Sequence, residues 1–329
     1  MRLTELVELT ADGRRRCGVC QWRCELALGE AGRCLVRVAV EEGIEVRNDG
    51  LISGANFGPI EEHGLWHFLP DTQVLAVGGW GYAFPTDQQQ RQYGAIPEDE
   101  HKRRRLEPDR VAAVALERLC RGVVWSYGDP SVSLEYVTEV LQFSRASSRY
   151  TALVTSGYMT IAALDQLGHY LDGMNLELRA FDDSAYKRLA GVDHWRGILE
   201  IAAHARQRWN CHIEVTTRLH PTVNDSIEQV QAIAGWIRDT LGEHTAWHVL
   251  PGDAGAAAAA TVARARRLGH EAGLHYVYGP EPGQNTLCHS CGATLIERSG
   301  VSGRIVGITD GRCTNCGTDP QIRLSIFKR

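Results

Sequence analysis

The chain has 329 residues, 43% of them hydrophobic and 23% charged, and a formal net charge of −5. That is the make-up of an ordinary soluble globular protein of one to three domains, and it gives no reason to expect nucleic acid or an anionic membrane as partner. No stretch approaches the ~20 apolar residues of a membrane span and the first residues hold no signal-peptide core, so a cytoplasmic protein is expected.

Ten cysteines in that compartment do not read as a disulfide framework. Taken along the chain, the first feature is CGVCQWRCELALGEAGRC, where Cys17, Cys20, Cys24 and Cys34 follow C-x2-C-x3-C-x9-C. Four soft ligands on tight turns favour zinc, then iron–sulfur. An apolar strand, VLAVGG (74–79), then opens into the loop GGWGYAFPTDQQQ. The basic run HKRRR (101–105) follows the acidic PEDE directly and reads as a self-neutralising surface segment. A helix over 108–120 starts with Pro and Asp, as helix beginnings do.

From there strand and helix patterns alternate. Strands are expected at 122–128, 150–157, 173–181, 211–219, 245–251 and 274–279, with helical segments between them. Repeated alternation of this kind argues for parallel strands wrapped by helices. A partial or complete α/β barrel fits better than a dinucleotide-binding sheet, because no G-x-G-x-x-G opens the first helix. Cys120 and Cys211 each stand alone before a strand and read as core residues. At the C-terminal end Cys288 and Cys291 (LCHSCG) and Cys313 and Cys316 (RCTNCG) flank a hairpin-like segment. Two CxxCG knuckles so joined describe a zinc ribbon. The expected organisation is an N-terminal metal-binding segment (1–72), a barrel (73–280) and the ribbon (281–329).

Several ordered stretches resemble the radical SAM proteins of the AmmeMemoRadiSam system, relatives of the pyruvate formate-lyase activating enzymes. GPIEEHGLWHFLP (58–70) is similar to that family's DPIEKKPLYHFLP, and SYGDPSVSLEY (126–136) to TYNEPTIWYEY. VTSGYMT, NLELR, EVTTRLHPTVND, GLHYVYG and both sets of cysteines also match. The resemblance implies a radical-SAM-like α/β barrel. In the family, three cysteines in GCNxxCPxCQN hold a [4Fe-4S] cluster whose open iron binds SAM. Here that stretch reads GWGYAFPTDQQ, and the cysteine positions fall on Trp80, Phe84 and Asp87. Two aromatic rings and one carboxylate cannot replace three thiolates, so no [4Fe-4S] cluster and no radical chemistry are expected.

Two readings of that replacement stand. Trp80 and Phe84 fill vacated volume while Asp87 faces solvent or caps a helix. Alternatively the three rebuild a SAM pocket without iron, the sulfonium over an indole face gaining ~0.5–2 kcal/mol and Asp87 pairing the amino group. By the resemblance, Ser156, Asn175, Glu177, Arg179 and Thr216 join them as cofactor-binding candidates, and Asp129, Glu214 and His248 are the catalytic ones. Alternation in IEVTT points Glu214 and Thr216 into the barrel. His248, read as lying at the end of the sixth strand, is the candidate general base; its structural counterpart is a satisfied buried histidine. The expected function is a non-radical enzyme binding SAM or a similar nucleoside for group transfer or elimination on a small molecule. The alternative is a pseudoenzyme scaffold that binds a protein partner.

Overall fold

The structure is a computed structural model that describes residues 1–252 and 256–326, and the side chains of all of these except 256 and 257. Eight strands form one sheet whose spatial order is the order of the chain: β1 (Gly54–Pro59), β2 (Gln73–Gly78), β3 (Gly122–Tyr127), β4 (Tyr150–Thr155), β5 (Gly173–Glu177), β6 (His212–Leu219), β7 (Trp247–Pro251) and β8 (Val277–Tyr278). Each neighbouring pair from β2 to β8 is parallel, and β1 lies antiparallel along β2. Among the described residues β8 does not pair with β1, so the sheet curves into a partial barrel.

The apolar runs that announced the strands are buried: Val74 to Val77, Val123 to Trp125 and Ala152 to Leu153 are all at most 2% exposed. Parallel strands covered on both faces need such continuous runs. Helices α1 (Pro85–Gln90), α2 (Pro108–Glu117), α3 (Leu134–Ala146), α4 (Ile161–Gly168), α5 (Asp183–Ala190), α6 (Gly197–Trp209), α7 (Ile227–Trp236) and α8 (Ala256–Glu271) occupy the connections. Side-chain caps start three of them, Thr160 on α4, Asp182 on α5 and Ser226 on α7. No helix among the described residues is long and apolar enough to cross a membrane. Arg103 in the basic run bonds Glu100 and the carbonyls of Pro97 and Glu98, within its own segment.

The 72/73 boundary cuts through a structural pairing, because β1 lies in the N-terminal segment yet forms the edge of the barrel sheet. Before it stand three short antiparallel strands, Val7–Leu9, Arg15–Cys17 and Glu25–Leu26, and the hairpin Arg37–Val40/Gly43–Val46. Arg37, 2% exposed, makes two bonds of 3.0 and 2.6 Å to Glu135 and so ties the hairpin to α3.

After β1 the chain crosses the foot of the barrel, the end at which the parallel strands begin. Residues 60–69 enter the lumen there as a plug. Asn175 donates to the His63 carbonyl (2.8 Å), and Gly64 has φ of 67° with Asn175 Nδ2 against the place a Cβ would take. Only glycine meets both conditions. The C-terminal ribbon then covers the open seam. Its Arg298 lies over the Trp66 ring at 4.4 Å and donates to the Trp66 carbonyl, while Gly303 N donates to Glu61 (3.2 Å).

A polar barrel with a sealed foot and a cationic mouth

Glu214 is the third residue of β6 and fully buried, so it lies toward the foot and not at the strand end expected for a catalytic group. One carboxylate oxygen accepts from His67 N (2.7 Å) and lies 3.2 Å from His212 Nε2; the other accepts from Trp66 N (3.0 Å) and lies 2.8 Å from His248 Nε2. Burial would raise its pKa, but the two imidazoles hold it well below the usual carboxylate range. His248 is the second residue of β7, 3% exposed, stacked on Tyr278 and edge-on to Trp66. Its expected place at the end of the strand is therefore corrected: the apolar run VLP carries the strand onward past it. Burial also depresses the plug imidazoles, His63 to about 4 and His67 to about 3. At this foot the plug's own amides occupy the Glu214 carboxylate, while His67 Nδ1 and Glu61 Oε2 of the plug are buried without a hydrogen-bond partner.

Asp129 and Ser156 follow the ends of β3 and β4 and bond each other at 2.6 Å. Asp129 also accepts from Ser131 N (3.0 Å) and Ser131 Oγ (2.7 Å), which makes it the cap of the short helical turn after β3. Burial nevertheless raises its pKa. Asn175 is held from both sides, by the His63 carbonyl and by Thr216 Oγ1 at 2.9 Å.

The loop after β2 separates the three residues at the family's cysteine positions. The Trp80 indole donates to the Ile52 carbonyl (3.2 Å) and meets Tyr93 edge-on, away from the lumen. Phe84, 1% exposed, packs on Tyr158 with ring centroids 5.2 Å apart and carries the Arg179 guanidinium at 4.8 Å. Asp87 lies in α1, where Pro85 at the first position starts the helix, and pairs with Arg179 (2.5 Å) and Arg91 (3.3 Å). Arg91 pairs in turn with Glu177 at 3.3 Å. Opposing the penalty of burial, Arg91, Arg179 and Arg218 hold Glu177 below the usual carboxylate range.

These pairs border a cavity of about 270 Å³ at the ends of β5 and β6. Of the cofactor-binding candidates, Asp87, Glu177, Arg179 and Thr216 line it. Trp80, Phe84, Ser156 and Asn175 do not, nor do Asp129, Glu214 or His248. Four further residues on the wall were missed from the sequence: Arg91, Arg188, Arg218 and His220. Four guanidinium groups thus face two carboxylates. Arg91 and Arg179 are taken by Asp87 and Glu177, whereas Arg188 and Arg218 are exposed and lie within ion-pair distance of no carboxylate among the described residues, Arg218 acting on Glu177 only from farther away.

The four ribbon cysteines have their sulfurs all within 4.8 Å of one another, with Cys288 and Cys316 3.6 Å apart and Cys291 and Cys313 3.7 Å apart. A tetrahedral zinc with bonds of about 2.3 Å holds its sulfurs about 3.8 Å apart, so the set fits that ion. Gly292 and Gly317 close the two knuckles with φ near 75°, a conformation that favours glycine. The Thr318 hydroxyl and amide draw the Cys316 thiol down to about 6. Cys17, Cys20, Cys24 and Cys34 instead line a void of about 10 Å³, room for a single atom, and their sulfurs are not drawn into a group that close. Burial raises the thiols of Cys17, Cys20 and Cys34. Cys120 and Cys211 are buried in the main core, as expected.

Residues 85–236 match the radical SAM superfamily. An uncharacterized protein of Methanocaldococcus jannaschii is 30% identical over 332 residues, which covers 96% of this chain and 98% of that one. The isethionate sulfite-lyase activating enzyme of Oleidesulfovibrio alaskensis is 26% identical over 114 residues, 34% of this chain and 37% of that protein. Among solved structures, a radical SAM methyltransferase from Sphaerobacter thermophilus superposes with a TM-score of 0.50 at 15% identity. That match covers 69% of this chain and 71% of the other and is a likeness of fold alone.

Proposed function

The chain belongs to the radical SAM superfamily, and from that premise we propose that it is a cluster-free member whose barrel mouth binds a small anionic ligand, any chemistry there being non-radical. The donor set supports the first part. Between Gly78 and Cys120 the sequence offers no thiol, and the groups at the three ligand positions are an indole bonded to a carbonyl, a buried phenyl ring and a carboxylate already shared by two arginines. None of these fits a [4Fe-4S] cluster, which requires soft thiolate ligands.

The observation that carries the second part is the unbalanced cavity wall: Arg188 and Arg218 stand beside a mouth whose carboxylates are already paired. Guanidinium groups so placed suit a planar carboxylate or a phosphate, which they bind with two parallel bonds. SAM is a weaker fit, because its carboxylate would be welcome but its sulfonium and ammonium would bring two positive charges to an already positive wall. The His248–Glu214 pair has no part in this reading, since the plug closes it off from the mouth.

The test is a pair of calorimetric titrations, one with inorganic phosphate or malonate and one with SAM, run on zinc-loaded protein and on Arg218→Ala. The expected result is saturable anion binding that weakens by about 10–100-fold in the variant, as loss of one charge-assisted contact of ~1.5–3 kcal/mol implies. Micromolar SAM binding indifferent to Arg218 would overturn the anion reading. A four-iron absorbance after anaerobic reconstitution with iron and sulfide would overturn the cluster-free reading.

A further inference from the structure

Beyond the cysteine sites, one group of side chains has the arrangement of a metal centre. His244 lies in the turn before β7, His275 two residues before β8, and His289 inside the first ribbon knuckle, between Cys288 and Cys291. Their ligand atoms all lie within 4.8 Å of one another. The rings meet in pairs with centroids 4.7 Å (His244–His275), 4.6 Å (His244–His289) and 4.5 Å (His275–His289) apart. One oxygen of Glu243 stands 3.8 Å from His244 Nδ1 and 3.7 Å from His275 Nε2.

We propose that His244, His275 and His289, with Glu243 as a fourth donor, bind a divalent first-row transition-metal ion at the foot of the barrel, separate from the ribbon's thiolate site. Three features support it beyond proximity. The three histidines come from three separate elements, so no local sequence pattern forces them together; the fold does. Each is partly exposed, with His275 at 32% and His244 at 15% of the side chain, so an ion can reach them. The Tyr276 hydroxyl, 3.2 Å from His289 Nδ1, is placed to orient that ring, as outer partners do in metal sites.

The chemistry selects the class of ion. Imidazole with one carboxylate and no thiolate suits zinc, nickel, cobalt or copper(II), and disfavours calcium or magnesium, which take oxygen ligands. A tetrahedral ion with bonds of about 2.0–2.1 Å holds its nitrogens about 3.4 Å apart, so binding draws the three imidazoles together by at most about 1.4 Å. Three ring nitrogens and one carboxylate also leave a coordination position open for water in a five-coordinate ion. Because His289 belongs to the ribbon while His244 and His275 belong to the barrel, the ion would bridge the two.

The experiment is calorimetric titration of Ni²⁺ into tag-free full-length protein whose ribbon zinc has been counted by mass spectrometry. One equivalent of Ni²⁺ per chain is expected, with affinity at least tenfold lower in His275→Ala and, independently, in His244→Ala. Both substitutions lie outside the ribbon knuckle, and circular dichroism with retained ribbon zinc shows that each variant is folded. Ni²⁺ binding of equal strength in wild type and both variants would overturn the proposal, as would absence of saturable binding in the wild type.

Discussion

The two ends of the barrel carry the same kinds of side chain and use them in opposite ways. At the foot, Glu214 has both oxygens engaged by two amides and two imidazoles, with His67 and His248 buried and Trp66 and His212 partly so. At the mouth, Arg188 and Arg218 are exposed beside a cavity, and the carboxylates near them are shared among other arginines. A polar residue in a barrel lumen is thus no sign of chemistry in itself. What separates scaffold from site is whether its hydrogen-bonding capacity is already spent.

The sharpest way to break the contrast is at Glu214. Glu214→Ala leaves two buried amides and two imidazoles without an acceptor and should cost about 3–5 kcal/mol, read from urea denaturation. If it instead left stability unchanged and altered ligand binding, Glu214 would belong to a ligand site after all. Phe84→Ala tests whether that ring fills space in the core: a cavity at a side chain 1% exposed should cost about 3 kcal/mol. Acid titration comes next. The folded chain holds His63 at about 4 and His67 at about 3, below the ordinary ~6.5 that they regain on unfolding. The unfolded chain therefore binds more protons as pH falls through that window, and the stability these groups contribute, present above about pH 6.5, drains away below it. About 4 kcal/mol, roughly 2 from each imidazole, should be lost between pH 7 and 5, and only about half of that in His67→Gln. The smallest effect belongs to the mouth: Arg218→Ala should change stability by no more than about 0.5 kcal/mol while weakening anion binding.

The barrel was legible because its strands are buried on both faces, and Val74–Val77 or Val123–Trp125 have no other use in a chain of this kind. The strand Gly54–Pro59 was not, since GANFGP has neither an apolar run nor alternation and pairs only because it lies along β2. Of the mouth, Thr216 was named from the resemblance and aimed into the barrel by strand alternation, and the same alternation carried two residues further reaches Arg218. Arg91 and Arg188 left no such trace, because each belongs to a different helix or helix end and only the fold brings them to one wall. His248 was misplaced for a plainer reason: an apolar run of five residues does not say where along the strand its one polar member sits. The histidine trio offered a faint signal, two of its members lying just ahead of strands on neighbouring turns.

A strand order that runs from one to eight in the order of the chain has a consequence for how the chain is made. Each strand emerging during synthesis finds its partner already in place, so the sheet can be laid down in the order of translation, with most pairings separated by a single helical connection. The exception is the seam. Arg298 and Gly303 must reach back across more than two hundred residues to Trp66 and Glu61, which makes docking of the ribbon the slow, long-range step. Until it happens the plug is uncovered on one side, so a metal held by the four ribbon cysteines would set not only whether the ribbon folds but when the barrel becomes shut to chaperones and proteases.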